Sequence, residues 1–173
     1  MLKLSEAAEV VISDRIGSVA GAASYNSAEY SLVYKPTTTA ADVHARRSAG
    51  GMWRQSGRRI FVTSGFVTLT FDGEPLAFTE LDAYANDARW IEREIAVPVA
   101  AGRGALILVT DRSDDDRFSL RGEPLFEIDR LQKTIRIVFA EHTASYFEIG
   151  TALYAGITEG TLASLVLSEV RLT

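Results

Sequence analysis

The chain contains no cysteine. That excludes disulfides, thiolate metal centres and cysteine nucleophiles together, and leaves packing as the source of stability. Histidine is almost as scarce. His44 and His142 are the only imidazoles, each in a polar stretch with no second histidine at ligand spacing, and both read as surface residues. No run of about 18 apolar residues occurs, so neither a membrane-spanning helix nor membrane insertion is expected. The opening stretch MLKLSEAAEVVISDR places Glu6 and Glu9 where a secretory signal needs an unbroken apolar core, and a cytoplasmic start without a signal peptide is expected. Common catalytic motifs are missing too: there is no G-x-S-x-G, no P-loop and no H-E-x-x-H. The sole G-x-G, Gly102-Arg103-Gly104, lacks the next glycine of a dinucleotide fingerprint. A formal net charge of -5 opposes nonspecific nucleic-acid binding, although Arg46-Arg47 and Arg58-Arg59 place a small basic cluster around Trp53.

What is present is ordinary globular material. With 173 residues, 47% hydrophobic and 24% charged, the chain suits one domain with a real core, or one domain carrying an arm. Thr134–Leu172 has the clearest period. Ile135, Ile137 and Phe139 alternate with Thr134, Arg136 and Val138, the signature of a half-buried strand. Phe147 and Ile149 repeat the pattern after a polar break. Leu162–Leu172 forms a third run, in which Leu165 and Leu167 are followed out of phase by Val170 and Leu172. That phase change predicts a β-bulge near Ser168.

Upstream, Glu29–Lys35 alternates Tyr30, Leu32 and Tyr34 against Ser31 and Val33 and stops at Pro36, as a strand does. Residues 1–50 read either as an N-terminal arm making attachment or oligomer contacts, or as the first strands of the sandwich formed by residues 51–173. RRIFVT and FVTLTF, joined at Ser64-Gly65, read as a hairpin, and Asp72-Gly73-Glu74-Pro75 reads as a turn. Leu81, Tyr84, Ala85 and Ala88 have helical spacing, so Thr79–Asp87 is expected to be a loop with at most a helical turn. Trp90–Val99 is expected to be a strand. Ala105–Thr110 is a continuous apolar run suited to an inner strand, and Phe118–Leu120 and Leu125–Ile128 are short strands. Short strands with turn signals at this spacing predict an all-β, antiparallel β-sandwich with little helix.

The order of strand TIRIVF, polar break, strand YFEIGTALYAG, glycine-bearing turn and final strand TLASLVLSEVRL resembles the closing strands of jelly-roll, galactose-binding-like domains. Such domains occur in carbohydrate-binding modules and in some phage spike proteins. The likeness covers roughly the last third of the chain and extends loosely upstream to Val97, through VPVAAGRGALILVT. It implies a jelly-roll topology and a polysaccharide or cell-surface glycan as partner. Together with the missing signal, it implies a phage-like particle, in which the chain is one subunit of a homo- or hetero-oligomer. The acidic triplet that helps hold a structural calcium ion in that family is replaced here by Ser168-Glu169-Val170, so no calcium and no other cofactor is expected.

Three constellations remain as candidate chemistry. Glu92 and Glu94, two apart on the expected strand, would sit about 7 Å apart on one face, inside the range glycosidases use, although two acids on one strand also serve to keep a face wet. Asp111, Asp114, Asp115 and Asp116 offer oxygen ligands, but without the glycine and terminal Glu of an EF-hand, and with Arg112 and Arg117 beside them. The third is aromatic. Trp53, Tyr84 and Trp90 fall in loop-like or strand-edge positions beside Asn86, Asp87 and Arg89, and flat rings next to hydrogen-bonding groups are what the apolar face and hydroxyl rim of a sugar require. The alternative is that the tryptophans cap the core. The functional expectation is therefore a non-catalytic carbohydrate-binding protein, with a structural particle protein or a small glycan hydrolase as alternatives.

Overall fold

A computed structural model of the protein describes residues 8–37, 54–110, 117–120, 122–141 and 144–173. In chain order the strands begin with β1 (Ala8–Ser13), β2 (Gly21–Asn26) and β3 (Ser31–Pro36). A meander follows, β4 (Arg54–Ser64), β5 (Val67–Glu74) and β6 (Leu76–Tyr84). After a 3₁₀ turn at Asp87–Arg89 come β7 (Ile91–Glu92), β8 (Gly102–Arg103) and β9 (Ala105–Thr110). The rest are β10 (Arg117–Leu120), β11 (Leu125–Asp129), β12 (Thr134–Val138), β13 (Ser145–Gly150), β14 (Leu153–Thr158), β15 (Thr161–Leu167) and β16 (Arg171–Leu172).

These strands form two sheets. The first runs β10-β4-β5-β6-β3-β2-β16, with β9 joined to β6 and β1 to β9; the second runs β7-β11-β12-β15-β14-β13-β8. Residues 8–36 thus supply three strands of the first sheet. The architecture is an all-β sandwich. Between the sheets lie Tyr25, Tyr34, Phe71, Phe78 and Leu81 from the first and Ile128, Ile135, Ile137 and Ile149 from the second, all fully buried. Among the described residues no helix is long and apolar enough to cross a membrane.

Strand direction departs from the antiparallel expectation at the edges. β10 on β4, β16 on β2, β7 on β11 and β8 on β13 are parallel pairs. Each arrives at its edge by a crossover rather than a tight hairpin, so nothing forces it antiparallel.

The expected loop at Thr79–Tyr84 is a strand instead. The β5 and β6 pairing shifts between Thr70↔Glu80 and Phe71↔Phe78, which leaves Thr79 as an extra residue. The buried set of β6 accordingly changes phase, from Leu76 and Phe78 to Leu81 and Ala83. A bulge thus breaks the period of two, and the helical spacing of Leu81, Tyr84, Ala85 and Ala88 arises where β6 ends at Tyr84 and the 3₁₀ turn follows. YFEIGTALYAG is likewise a hairpin, β13 and β14, turning at Thr151-Ala152, with Ala152 rather than a glycine at φ 54°.

The expected bulge near Ser168 is a change of sheet. β15 ends at Leu167, Glu169 takes φ 56°, and β16 pairs with β2 in the other sheet. Val170 is fully buried at this corner, its N–H donating to the Lys133 carbonyl at 2.9 Å. A second corner lies at Gly104, between β8 and β9. A Cβ there would stand 2.2 Å from the Ser13 carbonyl oxygen, so only glycine lets the chain pass from one sheet to the other.

Trp90–Val99 carries two strand residues, β7, and then leaves the ladder. Residues 93–101 cross the outer face of the second sheet from one edge, β7, to the other, β8. Six strand spacings amount to roughly 29 Å, and ten residue steps reach roughly 33–36 Å at full extension, so this strap is close to taut. Arg93 N–H donates to the Ile128 carbonyl, Ile95 N–H to Asp129 Oδ2 at 3.1 Å, and Ala101 N–H to the Tyr146 carbonyl at 2.8 Å. Ile95 is buried beneath it, whereas Val99 is 95% exposed. The strap also explains why Val166, on the outer face of β15, is as buried as its inward neighbours.

Candidate functional site

One end of the sandwich gathers aromatic side chains from three loops. Gly65, at φ 54°, makes the tight turn between β4 and β5 and leaves Phe66 standing at its tip, 70% exposed. The Phe66 carbonyl accepts from Tyr84 N–H at 3.1 Å, which fixes the end of β6 beside the turn. The Tyr30 carbonyl, between β2 and β3, accepts from Ala85 N–H at 2.8 Å. Tyr84, 57% exposed, is therefore held between two other rings: Tyr30 lies edge-on at 5.9 Å and Phe66 edge-on at 6.2 Å between centroids. Edge-to-face contacts of this kind orient a ring while leaving much of its surface in water.

The loop after Tyr84 is organised by its polar residues. Asn86 Oδ1 accepts from Ala88 N–H at 3.0 Å and caps the 3₁₀ turn, so its amide nitrogen keeps both hydrogens for other partners. The buried Tyr25 hydroxyl donates to the Ala85 carbonyl at 3.1 Å and accepts from Asp87 N–H at 3.2 Å. Burial is the main cause that raises the Tyr25 phenol above its ordinary range. Asp87 is tied to Arg130 at 2.9 Å, and that hydrogen bond strengthens the guanidinium's hold on its proton.

A groove of ≈ 490 Å³ runs along this end. Phe66, Tyr84, Asn86, Arg89 and Trp90 line it together with residues 123–126. Four residues picked from the sequence, Tyr84, Asn86, Arg89 and Trp90, meet at this groove. Asp87 sits behind it, occupied by Arg130, and Trp53 lies outside the described residues.

The two groove aromatics among those candidates play different parts. Trp90 is partly buried, stacked on Phe126 at 5.3 Å with an interplanar angle of 11° and tilted against Tyr25 at 4.6 Å. Its ring thereby bridges the two sheets. The indole Nε1 is buried without an acceptor among the described residues. Tyr84 instead presents its ring to solvent, and Phe66 does the same. Phe66 escaped sequence reading because FVTLTF looks like one strand, whereas the ladder starts at Val67 and leaves Phe66 in the turn. Glu123 carries no local signal at all; the return of the chain between β10 and β11 brings it beside Gly65 at the groove.

The other candidates do not assemble a centre. β7 ends at Glu92, so Glu92 and Glu94 do not share a strand; both are exposed, and Glu92 lies 3.8 Å from Arg130. His44, His142 and the Asp111–Asp116 run fall outside the described residues. Among the described residues no group of three or more His, Cys, Asp or Glu side chains is placed to hold a metal ion. Ser168 is tied through its backbone N–H to the Ala152 carbonyl at 2.9 Å.

No family model matches this chain, and no curated protein matches it.

Proposed function

We propose that the protein is a non-catalytic carbohydrate-binding domain of jelly-roll type that recognises a polysaccharide or cell-surface glycan through this groove, as a component of a phage-like particle. The observation that carries the reading is the exposed Tyr84 and Phe66 rings standing beside Asn86, Arg89 and Glu123 in one groove. A pyranose offers an apolar C–H face and a rim of hydroxyls. The rings supply stacking surface for the first, and the amide, guanidinium and carboxylate supply donors and acceptors for the second. Neither ring is needed to fill the core, so their exposure is a cost that ligand binding would offset.

A second reading has its own observation. Ile91 and Leu125, on the groove's rim, are 48% and 50% exposed, and apolar side chains next to exposed rings also suit contact between subunits of a particle. A glycan array separates the two. Carbohydrate recognition predicts retention of the protein by at least one polysaccharide and loss of that retention in Tyr84→Ala. Absence of any glycan binding, with mass rising with protein concentration in light scattering, leaves the assembly reading.

A further inference from the structure

Resting on the carbohydrate reading of the groove, we propose that its ligand is a carboxylate-bearing polysaccharide, a polyuronate-type chain whose carboxylate is taken by Arg89. Three other arginines among the described residues, Arg130, Arg93 and Arg136, are committed. Arg130 holds Asp87 at 2.9 Å and lies 3.8 Å from Glu92, and Arg93 and Arg136 share the buried Glu127. Arg89 is exposed on the groove and has no carboxylate within ion-pair distance among the described residues. It is also well placed. As the last residue of the 3₁₀ turn it is fixed by its own N–H donating to the Asn86 carbonyl at 3.1 Å, so the base of the side chain does not wander.

A guanidinium offers a planar fork of donors that matches a carboxylate edge, and a charge-assisted pair of this kind is stronger than bonds to neutral hydroxyls. Glu123, packed beside Gly65 at the same groove, is an acceptor for hydroxyl hydrogens, and Asn86, whose amide hydrogens are free, lines the groove with Arg89. Cation, exposed rings and acceptor therefore share one groove. A uronate ring offers the matching set of groups: a carboxylate, an apolar C–H face and hydroxyls. A neutral sugar would satisfy the rings and Glu123 and leave Arg89 to water.

The test compares polymers that differ only in their carboxyl groups. Polygalacturonate, alginate and hyaluronan are each assayed against their methyl-esterified forms, with neutral glucans alongside, for wild type, Arg89→Gln and Tyr84→Ala, each variant first checked for an unchanged melting temperature. The expected result is that at least one acidic polymer binds about tenfold or more tightly than its ester. That preference should shrink as salt rises, disappear in Arg89→Gln, and leave the residual binding to depend on Tyr84. Equal binding of acid and ester, preference for neutral glucans, or a preference that survives Arg89→Gln overturns the uronate assignment while the carbohydrate reading stands. No binding by any polymer in either form overturns both.

Discussion

Replacing Trp90 by alanine removes the ring that joins the two sheets at the groove end. It packs on Tyr25 of β2 at 4.6 Å and on Phe126 of β11 at 5.3 Å, and it adjoins the main core. Truncating a core tryptophan costs about 3–5 kcal/mol, and the partial exposure of Trp90 places it near the lower end, about 3 kcal/mol. Part of that loss is the two ring contacts, each about 0.5–1.5 kcal/mol beyond area alone. Trp90→Phe is the informative partner. It keeps an aromatic on Phe126 and deletes the buried Nε1–H, whose unpaired burial costs about 1–3 kcal/mol. The two effects of that change oppose each other, so Trp90→Phe is expected within about 1 kcal/mol of wild type. Urea denaturation followed by far-ultraviolet circular dichroism measures both variants without relying on indole fluorescence. A Trp90→Ala midpoint corresponding to less than about 0.5 kcal/mol, the scale of an inert surface change, would refute the bridging role. Equal damage from phenylalanine and alanine would refute the reasoning about the indole donor.

Two further expectations test other parts of the fold. Gly104→Ala drives a methyl to within 2.2 Å of the Ser13 carbonyl, a backbone atom that cannot rotate away, and should cost at least about 2 kcal/mol in the same denaturation assay. A wild-type midpoint would mean the sheet-changing corner is not as tight as drawn. Asp129 accepts from the Gln132 and Ile95 N–H groups, and these bonds, Gln132's first, hold its carboxyl below the ordinary range. The unfolded carboxyl near pH 3.9 binds its proton first on acidification, so the stability Asp129 contributes is complete above that pH and is lost as pH falls through the lower folded value. Asp129→Asn should therefore melt lower than wild type near neutrality and converge on it in acid. A gap that stays constant from pH 6 to about pH 2 would contradict the assignment.

How much of this was legible depends on how local each signal is. β12 and β3 could be read because Ile135 and Ile137, and Leu32 and Tyr34, face one core without interruption. β9 was legible as an apolar run. β6 was hidden by one extra residue, Thr79, which breaks its period of two, and by the end of the strand at Tyr84, where the following 3₁₀ turn gives an apparent helical spacing. The strap from 93 to 101 has the apolar alternation of a strand but runs across strands instead of along them, a difference that belongs to topology and leaves no mark on composition. The corner after Leu167 produced a phase change indistinguishable in sequence from a bulge. At the groove, Tyr84, Asn86, Arg89 and Trp90 could be grouped because they lie within seven positions. Phe66 and Glu123 join them through pairing between distant segments, which no local pattern encodes. Whether a tryptophan floors a groove or seals a core is also a tertiary question, decided for Trp90 by Tyr25 and Phe126.

The most direct test of the groove as a glycan site is an NMR titration of the labelled protein with a polysaccharide fragment retained in the array. Binding there predicts that shifts concentrate at Gly65, Phe66, Tyr84 to Ile91 and Glu123 to Phe126, with the Tyr84 and Phe66 ring signals moving most. Residues of the far corner, such as Gly104 and Ser13, should stay still. Shifts centred on another face, or no shift at saturating fragment, would contradict it.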